Sequence, residues 1–405
     1  MPDTHFHILA FYYGTLSQSG SRRWRELSSI LTQHGEVTVY CADGGGDHCP
    51  QDVEVVHLPD RDFGEQKKIF CFRERPAYVL FLMHLASSLL CWPDRQKRWS
   101  AKAVGEISRR LAEGKRNVVV TSGPVFSPHS EMCRWVNKNP SRVTWVMDFR
   151  DMWTNEIAPG LQRRIPGFLT NVFERRIEQQ CHDTADVVTT IGEVMAGLLA
   201  KDFGSSPVVM HNGYRKVENT NRPGEQPAAG QPLNVRYLGT IFPGLRTPAL
   251  LFQAAAKLGL GPGRLKFQFW CNEHKLVLGE AAKYGVENLV ECHQGVPGPK
   301  AWELACTADA NLILNGLEEN SNQVLTGKVF ELMQSGRPAI TVTGKDSELR
   351  TIATNCRQSP VVWDLDTAIR AMEALLDGKL PILEDTGRNY SWDKAVEKFL
   401  SSIGG

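Results

Sequence analysis

The chain alternates short, apolar, β-branched segments with helical segments over almost its whole length. Six such segments lie in the first half, HFHILAFYY, EVTVYCA, VEVVHL, NVVVTSGP, RVTWVMDF and ADVVTTIG, and six in the second, LNVRYLGT, LKFQFWCN, NLVECHQG, ANLILNG, RPAITVT and SPVVWD. Continuous apolar strands separated by helices are typical of parallel sheets covered on both faces. The sequence therefore predicts an α/β protein with two doubly wound, Rossmann-like domains.

A segment rich in Pro, Gly, Asn and Gln, at residues 215–232, interrupts this alternation. A chain of 405 residues is too long for one ordinary core and suits two domains, each able to bury its own interior. We expect a first domain over residues 1–205 and a second over 206–388. Two domains that face each other would place their strand ends, loops and helix N-termini on a central cleft, where open α/β sheets bind ligands.

The net charge, the cysteine spacing and the first strand each argue against a class of partner, site or cofactor. Lys and Arg together number 46 and Asp and Glu 45, so the net charge of +1 does not favour nucleic acid as a partner. The ten cysteines show no zinc-ligand spacing, which indicates reduced thiols in a cytoplasm. The start, MPDTHFHILAFYY, is typical of a first strand and not of a signal peptide. The first strand is followed by no G-x-G-x-x-G, which disfavours a nicotinamide or flavin cofactor.

One apolar segment has two interpretations. Residues 77–92, AYVLFLMHLASSLLCW, are flanked by basic side chains on both sides, and the whole region extends to residue 98. The segment is shorter than the ~20 residues that span a bilayer. It fits a buried helix, and it also fits a helix lying in a membrane interface with its basic neighbours on anionic headgroups.

Two loops of the second half carry groups suited to an anion. In GTIFPGLR, Gly239 and Gly244 leave the backbone open to a ligand, and Arg246 stands where a helix should begin. A helix N-terminus beside a guanidinium suits a phosphate, although a solvated Arg on a turn explains the same pattern.

The segment TGKVFELMQSG repeats this arrangement. Thr326, Gly327 and Lys328 stand at a predicted helix start, and Glu331 lies one turn in, on the same side as Lys328. A Glu in a first turn is also favoured by the helix dipole alone. Because Glu331 is the only carboxylate of an apolar run, a buried partner such as a pair of sugar hydroxyls is the other interpretation.

In the first half, WVMDFRDMW is the densest polar insertion. Asp148 and Arg150 follow a strand directly and are interleaved with aromatic residues. One interpretation is an internal Asp–Arg pair that holds the loop. The other places Asp148 at the floor of the cleft, in contact with a polyhydroxy substrate.

These pieces together resemble the family-four-like retaining glycosyltransferases of the GT-B fold, and within them a bacterial subgroup with a D-F-R-D-x-W motif, here residues 148–153. The resemblance covers nearly the whole chain through the pieces SGSRRWREL, CWPDRQKRW, TSGPVFSPH, DFRDMW, VVTTIGEV, HNGY, YLGT and GKVFELMQSGRPAI in this order. It implies that a C-terminal helix, within residues 389–405, crosses back to the first domain.

The resemblance also implies roles for single residues. Glu331 would hold the ribose hydroxyls of a nucleotide-diphosphate sugar, and Arg246 and Lys328 its diphosphate. Asp148, Arg150 and His129 would act at the reacting sugar, although a capping or core histidine is an equal interpretation of His129. The other donor-binding positions are Gly327, Thr326, Gly239, Thr240, Asn212 and Gln323, and the acceptor or phosphate loop contains Gly14, Gly20 and Ser21.

Two positions depart from the family pattern. Gln323 stands where many relatives have a second Glu, and an amide cannot stabilise positive charge. Thr240 stands where an Arg commonly follows the glycine of the phosphate loop, so one cation is missing and Lys328 would compensate.

The expected function is a metal-independent glycosyltransferase without a cofactor, acting on a glycan or lipid-linked acceptor for cell-surface polysaccharide. Its place would be the cytoplasm or the inner face of a membrane, with surface contact through residues 77–98. A nucleotide-sugar 2-epimerase and a non-catalytic nucleotide-sugar-binding protein are the alternatives.

Overall fold

The computed structural model describes residues 3–14, 19–42, 49–60, 94–154, 167–215, 231–242, 245–318, 325–356, 360–385 and 387–404. The chain divides into two compact units. The first unit is Met1–His211 with Ala395–Gly405, and the second is Asn212–Lys394. Residues 61–93, which hold the whole apolar segment 77–92 and the basic flank before it, lie outside the described residues, as does most of 215–232.

The first unit is built on a seven-stranded parallel sheet with the order β3-β2-β1-β4-β5-β6-β7. Its strands are β1 (Thr4–Leu9), β2 (Glu36–Cys41), β3 (Glu54–His57), β4 (Arg116–Ser122), β5 (Thr144–Phe149), β6 (Val187–Thr190) and β7 (Val208–Val209). Its helices are α1 (Ser19–Leu31), α2 (Lys97–Arg110), α3 (Ser127–Lys138), α4 (Gly167–Thr184) and α5 (Glu193–Phe203).

The second unit is built on a six-stranded parallel sheet with the order β10-β9-β8-β11-β12-β13. Its strands are β8 (Leu233–Leu238), β9 (Leu265–Trp270), β10 (Val290–His293), β11 (Ala310–Leu314), β12 (Ala339–Val342) and β13 (Val361–Val362). Its helices are α6 (Ala249–Lys257), α7 (His274–Tyr284), α8 (Gly298–Cys306), α9 (Lys328–Leu332), α10 (Glu348–Asn355) and α11 (Leu365–Leu376), with a 3-10 turn at Glu287–Leu289.

The prediction of two doubly wound parallel sheets is confirmed. In each sheet the strand order reverses beside the first strand, between β1 and β4 and between β8 and β11. Such a switch point opens a crevice at the carboxyl ends of the strands. Strand β7 is a described strand that the sequence analysis did not predict, and it is only two residues long.

The last helix, α12 (Trp392–Ser402), begins in the second unit and continues into the first. Its Phe399 is buried and packs its ring near those of Phe6 and Trp24, at centroid distances of 6.2 and 6.1 Å. Residues from the two ends of the chain therefore share the core of the first unit.

Within the described residues, no helix has the length and apolar character needed to cross a membrane.

Candidate functional site

In the second unit, two basic side chains meet at the carboxyl end of β8. Gly239 follows that strand directly, and a Cβ placed on it would lie 2.6 Å from Cε and 3.2 Å from Nζ of Lys328. A side chain at this position would push the end of the lysine away, because real Cβ contacts are essentially never that short. The ammonium group of Lys328 therefore lies directly against the backbone after β8.

Lys328 lies where its charge is costly. Burial lowers the pKa of its ammonium group, the nearby charge of Glu331 raises it, and the guanidinium of Arg246 lowers it further. Two cations that repel each other in a half-buried position favour the arrival of an anion between them. Arg246 and Lys328 therefore lie close enough for their charges to interact.

Arg246 lies in the turn before α6 rather than at its first residue, which is Ala249. Its guanidinium stands over the ring of Phe242 at 5.0 Å from the centroid, and its Nε is enclosed with no hydrogen-bond acceptor among the described residues. An enclosed guanidinium N–H that lacks a protein acceptor is suited to an oxygen from a ligand.

The segment that carries Glu331 forms the expected turn and short helix. Gly327 caps α9, the amide N–H of Lys328 donates to the Thr326 hydroxyl at 3.4 Å, and Gly336, at φ +65°, ends the segment before β12. Glu331 is half-buried, whereas the residues beside it in α9 are buried, namely Val329, Phe330, Leu332 and Met333.

Two further predicted donor-binding residues lie beside these cations. Nδ2 of Asn212 is 3.7 Å from the Cβ position of Gly327, so the amide of Asn212 borders the start of α9. Thr240 is exposed directly after Gly239. The structure therefore brings together Asn212, Thr326, Gly327, Lys328, Gly239, Thr240 and Arg246, whereas Gln323 and Gly244 lie outside the described residues.

In the first unit, Asp148 is the centre of a buried hydrogen-bond network. Its two carboxylate oxygens accept five bonds, which come from Arg23 Nη2 (2.9 Å), Arg23 Nε (3.2 Å), Trp24 Nε1 (2.9 Å), Ser122 Oγ (3.0 Å) and Thr189 Oγ1 (2.8 Å). Asp148 is 0% exposed, and burial raises the pKa of its carboxyl, but the charge and hydrogen bonds of Arg23, with the bonds from Thr189 and Trp24, together hold that pKa low. With every lone pair engaged, the carboxylate holds the ends of β4, β5 and β6 and the start of α1 together.

The internal Asp–Arg pair considered from the sequence exists, but the partner of Asp148 is Arg23 and not Arg150. Arg150 donates from Nε to the carbonyl of Gly123 at 2.6 Å, and it lines a narrow crevice at the carboxyl ends of β1 and β4 together with Ala10, Phe11, Tyr12, Trp24, Ser122, Gly123, Pro124 and Val125. Arg150 is therefore the member of this motif that borders a crevice.

His129 belongs to the same strand-end region and is fully buried. Its Nδ1 shares a 2.7 Å hydrogen bond with the Thr121 hydroxyl, and its Nε2 has no partner among the described residues and faces Gly123. Burial lowers the pKa of the imidazole to about 3, partly opposed by Asp148, so the ring is neutral. A neutral, enclosed imidazole fits the core interpretation of His129 at least as well as direct sugar contact.

The predicted acceptor or phosphate loop is described in part. Gly14 is buried, residues 15–18 lie outside the described residues, and Gly20 and Ser21 belong to the first turn of α1. Its approach to a ligand stays a prediction.

A cavity of about 540 Å³ opens at the amino ends of strands of the first sheet, opposite to the crevice bordered by Arg150. Its lining includes His5, Glu36, Asp52 and Glu54. None of the predicted site residues lines it. Because doubly wound sheets bind ligands at the carboxyl ends of their strands, the smaller strand-end crevice is the better candidate.

Sequence reasoning missed two residues of these sites. Arg23 lies in SGSRRWREL, but nothing local marks which of its three arginines is buried. Tyr237 precedes the loop in YLGT and was counted only as a strand residue, although its hydroxyl donates to the Thr240 carbonyl at 2.8 Å.

No protein-family model and no curated protein matches the chain. Solved structures do. The apo form of WaaB, a lipopolysaccharide outer core galactosyltransferase, has a TM-score of 0.61 at 12% identity and covers 99% of each chain. Sucrose-phosphate synthase from Thermosynechococcus elongatus has a TM-score of 0.60 at 10% identity over 98% of each. A TarM variant from S. aureus, in complex with fondaparinux, α-GlcNAc-glycerol and UDP, has a TM-score of 0.59 at 11% identity and covers 100% of each chain. The chain thus has the fold of GT-B glycosyltransferase structures.

Proposed function

We propose that this protein is a glycosyltransferase that moves a sugar, with retention, from a nucleotide-diphosphate sugar to a glycan or lipid-linked acceptor in cell-surface polysaccharide synthesis. The observation that carries the proposal is the pair of half-buried cations, Lys328 and Arg246, beside Gly239 at the carboxyl end of β8. The likeness to WaaB and to a UDP complex of TarM supports it.

The proposed reaction would be favoured by such a pair of cations. Breaking the bond between a sugar and a diphosphate builds negative charge on the departing diphosphate and positive charge on the anomeric carbon. Cations placed where the negative charge develops stabilise the transition state more than the ground state. In the proposed complex, Lys328 and Arg246 hold the diphosphate, and Glu331 accepts hydrogen bonds from the ribose hydroxyls.

The first unit would supply the acceptor side. In the proposal, Arg150 and the crevice at Gly123 border the acceptor, and His129 lies behind that surface. Asp148 acts as a positioning residue, because its oxygens are engaged by protein donors. The proposed place of the reaction is the cytoplasmic side of a membrane, where nucleotide sugars and lipid-linked acceptors meet.

A thermal-shift screen of nucleoside diphosphates and nucleotide sugars tests the donor site, because a ligand that binds the folded state raises its melting temperature. We expect at least one to stabilise the wild type, and Lys328→Met and Glu331→Ala to abolish that shift. Lys300→Met, on an exposed lysine of α8, is the matched control and should keep it.

Transfer is then measured with the stabilising donor and extracted lipid or glycan acceptors. Product that forms only with acceptor supports the proposal. Conversion of the donor to an epimer without acceptor, or wild-type turnover by Glu331→Ala, would overturn it.

A further inference from the structure

Tyr237 lies beneath the proposed diphosphate site and contacts two of its parts through one hydroxyl. The Oη atom donates to the carbonyl of Thr240 at 2.8 Å, and the Arg246 guanidinium lies close enough for its charge to act on the pKa of this phenol. The same oxygen lies 3.4 Å from the Cβ position of Gly239. Residues Gly239 and Thr240 of the loop after β8 therefore pack against this hydroxyl.

The hydroxyl is a permanent donor. Burial, the largest influence, raises the pKa of Tyr237 to about 12, with opposition from Arg246. A hydroxyl has one proton, and the Thr240 carbonyl, which cannot donate, uses it. The oxygen lone pairs therefore remain available to the nearby positive charge of Arg246.

The ring and the hydroxyl have separable roles. The ring is 1% exposed and packs in the core of the second unit, near Phe269 at a centroid distance of 5.9 Å. Phenylalanine would keep that packing and lose the hydrogen bond to the Thr240 carbonyl. The loop has a second attachment that Phe would not disturb, because the amide N–H of Ile241 donates to Glu273 Oε2 at 3.2 Å.

We propose that Tyr237 is a positioning residue of the diphosphate site, whose hydroxyl fixes the guanidinium of Arg246 and the Gly239–Thr240 backbone in the arrangement that holds an anion. The inference rests on the proposed function for the identity of that anion. An arginine that is already oriented loses less side-chain freedom when the ligand arrives, so its contribution to affinity is larger.

The test uses inorganic pyrophosphate as the probe and the full chain as the protein, with binding measured by calorimetry. We expect Tyr237→Phe to weaken pyrophosphate binding by roughly tenfold, which is the effect of one lost hydrogen bond to a charged group. Tyr40→Phe is the matched control. Tyr40 is equally buried and bonded, with its hydroxyl 3.1 Å from Nδ1 of His7, but it lies in the first unit.

A double-mutant cycle separates positioning from general stability. If Tyr237 acts through Arg246, Tyr237→Phe weakens binding in the wild-type background and has little further effect in an Arg246→Ala background. Equal losses in both backgrounds, unchanged binding by Tyr237→Phe, or no binding of pyrophosphate by the wild type would overturn the inference. Sugar transfer that fails while the cycle succeeds would overturn the proposed function alone.

Discussion

The Arg23 guanidinium and the Asp148 carboxylate form two hydrogen bonds, at 2.9 and 3.2 Å, with the two side chains 2% and 0% exposed. Arg23 also donates to the carbonyl of Met210 at 2.8 Å. The buried Arg23 side chain therefore ties α1 to the end of β5 and to the last residues of the first unit before Asn212.

Removing one partner of this pair should destabilise the first unit strongly. An unpaired charge left in the interior costs about 3–5 kcal/mol. We expect Asp148→Asn and Arg23→Met each to lower the free energy of unfolding by that order, measured by urea denaturation, and the double variant to lose less than the sum. Asp148→Asn that keeps wild-type stability but loses transfer would instead show direct action on the substrate.

Gly239→Ala should disturb the anion site and strain the backbone of the loop after β8. The new Cβ would push the flexible end of Lys328, which can move away at small cost. We expect roughly tenfold weaker pyrophosphate binding, equal to about 1.4 kcal/mol, and a loss of stability of about 1–3 kcal/mol, because φ at this position is +159°. Gly261→Ala, whose Cβ would meet nothing within 4 Å, is the control. Wild-type affinity in Gly239→Ala would contradict the proximity of Lys328 to the ligand.

Gly213→Ala should destabilise the second unit, because its Cβ would meet rigid backbone. It would lie 2.7 Å from the Trp392 nitrogen and 2.9 Å from the Tyr390 carbonyl oxygen, in segments joined by hydrogen bonds from Tyr214 and Trp392. We expect a loss of about 1–3 kcal/mol. Gly279→Ala in the open interior of α7 should instead gain about 0.5–1 kcal/mol. The same sign for both variants in thermal unfolding would refute this packing.

His182 should make the first unit sensitive to acid. Its ring is stacked between Phe149 and Phe203, neither nitrogen has a partner among the described residues, and burial lowers its pKa to about 4. The unfolded chain takes up the proton first, near the ordinary pKa of about 6.5. The contribution of His182 to stability is therefore present above that pH and is lost as pH falls towards 4.

We expect His182→Phe to reduce the loss of stability between pH 7.5 and 5 by about 2 kcal/mol, followed by urea unfolding at each pH. His293→Phe, on a partly exposed ring stacked on Trp270 in the second unit, is the comparison and should leave the transition of the first unit as it is. Parallel pH profiles for His182→Phe and the wild type would exclude this role.

The sequence predicted both sheets because a parallel strand is marked by its own apolar residues. It also predicted the turn at Gly327 and Lys328, because the glycine, the lysine and the apolar residues that follow them are neighbours in the chain. The sequence could not show the partner of Asp148, because Arg23 is 125 positions away and only the folded sheet brings the two residues together. The role of Tyr237 could not be predicted for a different reason, since a tyrosine in a strand gives no sign of the hydrogen-bond partner of its hydroxyl.

The burial of Phe399 against Phe6 and Trp24 fixes an order of events during synthesis. The ribosome makes residues 395–404 after the whole of the second unit, so the first unit waits for its final packing contacts while the second can already close. We expect a chain that ends at residue 394 and has been released from the ribosome to carry a folded second unit and a protease-sensitive first unit. Equal resistance of both units to pulse proteolysis would refute this order. The half made first would thus be the half finished last.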